Sequence, residues 1–298
     1  MRRTLGFKLT TQGRQLMSFV GFCEDRSADH LTADLAIEWA TRTRRGSSDE
    51  VYQARRLDVV RIFARHLQAL DPATEVPPLE VLSRRSRRIQ PYLYAPAEII
   101  TLMDAAGGLA PASRAATWQT LIGLLAVTGM RPGEACRLRR SDVDLDDGTL
   151  VIADSKFNKS RQVFLHLTAA AALRAYQRTR DRMFPTPSAD TFLVNSRGHS
   201  LDEDNLQHTF GVLKTTAAIQ TPPGRRGPRL HDLRHTFTVA TMLDWYRDGG
   251  DVQPRLPLLS TWLGHVDPKS TYWYLQAIPE LLAFAAGRLE RTDGRAAL

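Results

Sequence analysis

The chain has 298 residues and a mass of 33.4 kDa, with 43% hydrophobic residues, 24% charged residues and a mean hydropathy of -0.29. That balance excludes collagen-like, coiled-coil and disordered classes and suffices to bury a sizeable core in one or two domains. Forty basic residues against 32 acidic ones give a formal charge of +8 and a pI near 9.9, which favours an anionic partner such as nucleic acid.

No stretch reaches the roughly 20 apolar residues of a membrane helix and the first residues carry no apolar leader core, so a cytoplasmic location without a membrane partner is expected. Cys23 and Cys136 are too few for a disulfide framework or a cysteine zinc site and read as small buried hydrophobes.

The first 70 residues or so read as several short helices, with the clearest helical stripe at Leu57, Val60, Arg61, Phe63, Ala64 and Leu67. The prolines of Asp71-Pro72-Ala73-Thr74-Glu75-Val76-Pro77-Pro78 and the charges of Ser83-Arg84-Arg85-Ser86-Arg87-Arg88 mark a linker, which divides the chain into domains at 1–88 and 89–298. A basic linker suits a protein that closes round a duplex, because phosphate contacts add affinity without reading sequence. Pro96 then opens a helix, an apolar helix at 117–128 stops at Gly129, and Pro132 suits the first turn of the next. Segments 148–153 and 161–165 flank a polar stretch in the pattern of a β-hairpin. Further helices are expected at 168–182, 203–219, 231–246, 256–263 and 278–290. The fold class that follows is mainly α with a small β-sheet (α+β), a helical N-terminal domain preceding a mixed one.

Three segments carry residues suited to chemistry. Thr128-Gly129-Met130-Arg131-Pro132-Gly133-Glu134 puts Arg131 on a glycine-punctuated turn with Glu134 on the same helical face, where the two can pair. His231-Asp232-Leu233-Arg234-His235 sets His231 and Arg234 one turn apart, able to reach one anion, with His235 close to the same side. His231 and His235 could also ligate a metal, but no glutamate of a zincin-type motif accompanies them. Leu263-Gly264-His265 ends an apolar stretch nine residues before Tyr274, which lies in Thr271-Tyr272-Trp273-Tyr274-Leu275. Only Lys8, Lys156, Lys159, Lys214 and Lys269 are lysines among 35 arginines, so each raises the question of whether arginine would serve in its place.

The ordered set Arg131, Lys156, His231, Arg234, His265 and Tyr274 resembles the tyrosine recombinase (phage integrase) family over about residues 95–290. Three separate motifs fall in the family's order, and the helical first part stands where the family has its core-binding domain. The segment from Arg234 to His265, with Trp245-Tyr246-Arg247-Asp248-Gly249-Gly250-Asp251, is longer than in many members and is expected to lengthen a surface connection. The wording around Tyr274 resembles recombinases carried by mobile elements.

The resemblance implies a DNA strand-breaking and rejoining enzyme that acts through a 3′-phosphotyrosine on Tyr274, leaving a free 5′-hydroxyl. It would need neither ATP nor a metal, and no cofactor. Arg131 and Arg234 would bind the non-bridging phosphate oxygens and favour the phenolate, and Glu134 would orient Arg131. His265 would donate to the same phosphate, while His231 could either do likewise or take the tyrosine proton. Lys156 would protonate the leaving 5′-oxygen, a task for which arginine is too weak an acid, with Lys159 the competitor because hairpin register is open. Tyr272 competes with Tyr274 but lies on another helical face and lacks the spacing from His265.

The expected partners are double-stranded DNA target sites and further copies of the chain, as a homotetramer on two sites, with related recombinases or accessory proteins as further candidates. Segment 279–291 is the candidate for docking on a neighbouring copy. The rival classes are a non-catalytic DNA-binding regulator of the same fold and a type IB topoisomerase.

Overall fold

The computed structural model describes residues 9–42, 50–82, 90–153, 160–186, 188–221, 226–265, 267–278 and 281–283. The chain forms two compact units, Met1–Arg88 and Ile89–Leu298. The arginine run at 84–88, the hairpin tip with Lys156 and Lys159, and most of segment 279–291 lie outside the described residues.

The first unit consists of α1 (Thr10–Glu24), α2 (Ala33–Thr41) and α3 (Glu50–Leu67). Helix α3, at 18 residues, is longer than the short helices expected. Its stripe buries Leu57, Val60 and Ala64 against Phe19 and Trp39, whose rings meet edge to face at 5.3 Å. Arg61 is buried within that stripe, yet its charge is not orphaned. Its Nε donates to the Pro77 carbonyl at 2.8 Å and Nη2 to the Pro78 carbonyl at 2.5 Å, so the guanidinium satisfies the proline-rich segment after the helix. Cys23 in α1 is only half-buried, unlike Cys136, which is buried as expected.

The second unit comprises α4 (Pro96–Gly107), α5 (Ala112–Thr128), α6 (Pro132–Arg137), β1 (Val143–Asp144), β2 (Thr149–Ile152), β3 (Arg161–Phe164), α7 (Leu167–Met183), α8 (Glu203–Thr216), α9 (Asp232–Arg247), α10 (Leu256–Leu263) and α11 (Lys269–Ala277). Mainly helical with a small antiparallel sheet ordered β1-β2-β3, it has the fold class the sequence implied.

Helix α5 is the central element. It packs on α4, α7 and α9 and buries Trp118, Leu121, Ile122, Leu124 and Leu125, which explains why its sequence is apolar on most sides rather than on one stripe. It starts five residues before the expected 117, because Ala112-Ser113-Arg114-Ala115-Ala116 offers no apolar period; Arg114 there bonds Thr209 of α8 at 3.0 Å. In the sheet, Leu150 faces Val163 across β2 and β3, and both are fully buried. Strand β1 was unexpected: two residues carry no legible alternation, and the aspartates around them form a turn, with Asp144 Oδ1 accepting from the Asp146 and Asp147 amides at 3.0 and 2.9 Å.

A second apolar cluster joins Val239, Met242 and Tyr246 of α9 to Leu256, Leu259 and Leu263 of α10 and Tyr274 of α11. Leu281, within the segment expected to dock on a neighbour, and Ile278 just before that segment are fully buried in this cluster of their own chain.

Candidate active site

Two helix ends set the positions of the two arginines. Gly129 closes α5 at φ 63°, and its carbonyl accepts from Arg234 Nη1 at 2.8 Å. Gly264 closes α10 at φ 66°; the Leu263 carbonyl accepts from Arg234 Nη2 at 2.7 Å and the Gly264 carbonyl from Arg131 Nη2 at 3.2 Å. The last carbonyls of a helix have no partner within it and carry partial negative charge, so guanidinium groups are well matched to them. The left-handed turns that end both helices favour glycine, and there is no room for a side chain either. A Cβ at Gly129 would lie 2.4 Å from Phe237 Cδ1, and one at Gly264 would lie 2.7 Å from Arg161 Nη1.

The long segment between Arg234 and His265 therefore does not pull the motifs apart, because the Arg234–Leu263 bond spans it. Nor is it wholly a surface connection. Residues 248–251 turn at the surface, but Tyr246 and Val252 on either side are buried in the second cluster.

Arg131 sits immediately before α6 with Pro132 in the first helical turn, and Glu134 reaches back to it. The Glu134 carboxylate accepts from the Arg131 amide at 2.9 Å and from Arg131 Nη1 at 2.7 Å. A third partner was not anticipated. Arg161 of β3 grips both carboxylate oxygens, at 3.1 and 2.7 Å, and sends Nε to the Trp262 carbonyl at 2.6 Å. Burial pushes the Glu134 carboxyl up, but the bonds and charge of Arg161, joined by those of Arg131, outweigh it and hold the group down at about 2. Arg234 is 2% exposed, and burial followed by repulsion from Arg131 lowers its guanidinium to about 9, which leaves it charged at neutral pH.

The histidines converge on the same place. His265 Nδ1 bonds the hydroxyl of the fully buried Thr271 at 2.7 Å, and that hydroxyl in turn meets Ser260 Oγ at 2.7 Å. This fixes the ring and leaves Nε2 for a ligand. His231 and His235 meet edge to face at 5.1 Å. His235 Nδ1 lies 2.5 Å from Tyr274 Oη.

Burial, reinforced by neighbouring positive groups, lowers all three imidazoles, His231 to about 4 and His235 and His265 to about 3, so each is neutral near pH 7. Tyr274 is 3% exposed, and burial raises its phenol above the usual value against the pull of Arg234. The arginine field expected to favour the phenolate is present but is outweighed by desolvation in the free protein. Tyr272 is 38% exposed, on another face of α11.

Of the residues singled out in the sequence, Arg131, His231, Arg234, His265 and Tyr274 are thus brought together. Lys156 and its competitor Lys159 lie outside the described residues. Sequence reasoning missed Arg161, Ser260 and Thr271, and noted His235 without a role. Arg161 did leave a signal: it stands two residues before the inward Val163, a charge on the buried face of a strand. Among the described residues no group of three or more His, Cys, Asp or Glu side chains could hold a metal ion, and no helix is long and apolar enough to cross a membrane.

The sequence pattern of the phage integrase family matches residues 94–280. The chain belongs to this family, the tyrosine recombinases. The Sinorhizobium fredii protein y4rB, described as an integrase/recombinase, is 41% identical over 98% of this chain and 94% of its own length. The tyrosine recombinase XerC of Mycobacterium bovis is 31% identical over 87% of this chain and 84% of its own. Among solved structures, the XerH site-specific recombinase bound to its difH substrate after cleavage aligns with a TM-score of 0.64 at 19% identity, covering 87% of this chain and 73% of that one. A lambda integrase dimer bound to a core site aligns at 0.59 and 15% identity, over 86% and 89% of the two chains.

Proposed function

We propose that this chain is a site-specific recombinase that cuts and rejoins duplex DNA through a 3′-phosphotyrosine on Tyr274, without ATP or metal. The observation that carries the reading is the convergence of Arg131, Arg234 and His265 on the end of α10, in one cluster with the Tyr274 hydroxyl. A guanidinium has five N–H donors, and the helix-end carbonyls and Glu134 engage only some of them, so both arginines keep donors for a phosphate.

The pair binds the non-bridging oxygens and neutralises charge that builds in the pentacoordinate transition state, where loss of one such contact costs about 10²–10³-fold in rate. His265, oriented through Thr271, donates Nε2–H to the same phosphate, and His231 does so from the start of α9. Lys156 protonates the departing 5′-oxygen. The phosphodiester energy is retained in the tyrosyl link, so rejoining needs no nucleotide.

The partners are double-stranded target sites and other copies of the chain, four on two sites, with the first unit as the core-binding domain. The XerH and lambda integrase structures, described as DNA-bound, support the DNA partner. The test is covalent capture on a denaturing gel with nicked duplex spanning the ends of the gene's own genetic element. Wild type and Tyr272→Phe should give a chelator-resistant protein–DNA adduct, and Tyr274→Phe none. An adduct that survives Tyr274→Phe, or that a chelator removes, refutes the mechanism.

A further inference from the structure

The Tyr274 phenol is buried, bonded and harder to ionise than a free tyrosine, so attack on phosphorus requires that its proton be taken as the bond forms. Of the two side chains that bond this hydroxyl, Thr238 and His235, only the imidazole can accept its proton: Nδ1 lies 2.5 Å from Oη, a short contact. His231, which the sequence left open as a base, meets the His235 ring edge to face instead.

The other face of the His235 ring is also arranged. Nε2 is 3.9 Å from Asp232 Oδ1, one turn earlier on α9. Asp232 is 1% exposed and is held by Arg229, whose amide and Nε donate to Oδ2 at 2.8 and 3.2 Å and whose Nη2 donates to Oδ1 at 2.7 Å. A buried carboxylate, an imidazole and a hydroxyl in series are the components that activate weak nucleophiles, here with the carboxylate at ion-pair rather than hydrogen-bond distance from the ring.

We propose that His235 is a catalytic residue, the general base that takes the Tyr274 proton, with Asp232 as the positioning carboxylate behind it. This rests on the strand-cleavage reading above. As Oη attacks, the O–P bond forms and the Oη proton passes to Nδ1. The P–O5′ bond breaks with its electron pair on the 5′-oxygen, which takes a proton from Lys156. On rejoining, the 5′-hydroxyl attacks phosphorus as its proton passes back to the Lys156 amine, the tyrosyl O–P bond breaks and the His235 imidazolium returns its proton to the phenolic oxygen. The charged and titratable groups facing the pair are His231, Arg229, Asp232 and Arg234 around α9, His265 after α10, and Arg131 beside α6. The cations among them favour a neutral, proton-accepting imidazole before attack, while Asp232 favours the imidazolium that follows.

Two measurements on the full chain test the assignment. In ¹⁵N-histidine NMR of the free wild type, with the His235 signals assigned by their loss in His235→Asn, the base needs unprotonated Nδ1 and protonated Nε2; a protonated Nδ1 overturns it without any DNA. In covalent capture between pH 6 and 9.5, His235→Asn and His235→Gln should form adduct about 10²–10⁴-fold more slowly than wild type at pH 7. The deficit should shrink roughly tenfold per pH unit as hydroxide replaces the base. A variant at the wild-type rate, or a deficit equal at every pH as a merely structural role would give, overturns the proposal. No adduct from wild type would instead sink the strand-cleavage reading and this role with it.

Discussion

Replacing Glu134 by glutamine should be the most informative single change in the second unit, because one carboxylate there balances two arginines. Glu134 is 5% exposed and accepts four bonds, from the Arg131 amide and Nη1 and from both terminal nitrogens of Arg161, whose side chain is 7% exposed. Glutamine keeps the shape but turns one acceptor into a donor that faces donors, and it leaves two cations without a counter-charge. Removing one partner from a buried pair costs about 3–5 kcal/mol, a large share of the roughly 5–15 kcal/mol that holds a domain folded. The chemistry should fall as well. Arg131 would lose its lateral restraint, and a displacement of about 1 Å of a catalytic group can cost about 10²-fold.

The assay is urea unfolding followed by far-UV circular dichroism, run on Glu134→Gln, Arg161→Met and the double variant. The double variant removes one cation along with the carboxylate, so it should be less destabilised than the sum of the singles, with a coupling of about 1–3 kcal/mol. Two results would refute the charge-balance argument: a Glu134→Gln cost below about 1 kcal/mol, or strict additivity of the two changes.

Acidification should destabilise the free protein before its carboxylates titrate. His231, His235 and His265 sit at about 4, 3 and 3 against a usual 6.5, so the unfolded chain binds their protons first; their contribution is complete above pH 6.5 and is lost as pH falls towards those folded values, at up to about 1.4 kcal/mol per pH unit for each. Urea midpoints that stay level or rise between pH 7 and 5 would contradict this. Thr271→Val should cost about 1–3 kcal/mol, because it strands the Ser260 hydroxyl and frees His265 Nδ1, and should slow adduct formation without weakening DNA binding, as read by gel shift.

How much was legible follows from what kind of group does the holding. Side chains that would meet a phosphate are chemically distinctive and stand in short motifs, so Arg131, His231, Arg234, His265 and Tyr274 could be picked out, and the glycines beside them were recognisable as helix stops. What holds those side chains is largely main chain. Arg234 is fixed by the carbonyls of Gly129 and Leu263 and Arg131 by that of Gly264, and any residue has a carbonyl, so nothing at 263 or 264 announces an arginine anchor. Arg161 escaped for a related reason: its partner, Glu134, was already satisfied in sequence by an arginine three residues away, and a second claimant from a strand 27 residues on is a tertiary fact.

His235 shows the converse. Position on α9 put it near the site, but only the docking of α11 decides that its ring, and not that of His231, meets Oη. The cluster around Tyr274 explains why that docking matters: α9, α10 and α11 share one apolar core, so the packing that buries the nucleophile also sets its hydrogen-bond partner. Desolvation that makes the phenol harder to ionise and the contact that can remove its proton are therefore consequences of the same packing, and a substitution that loosens the α9–α11 core should weaken both together.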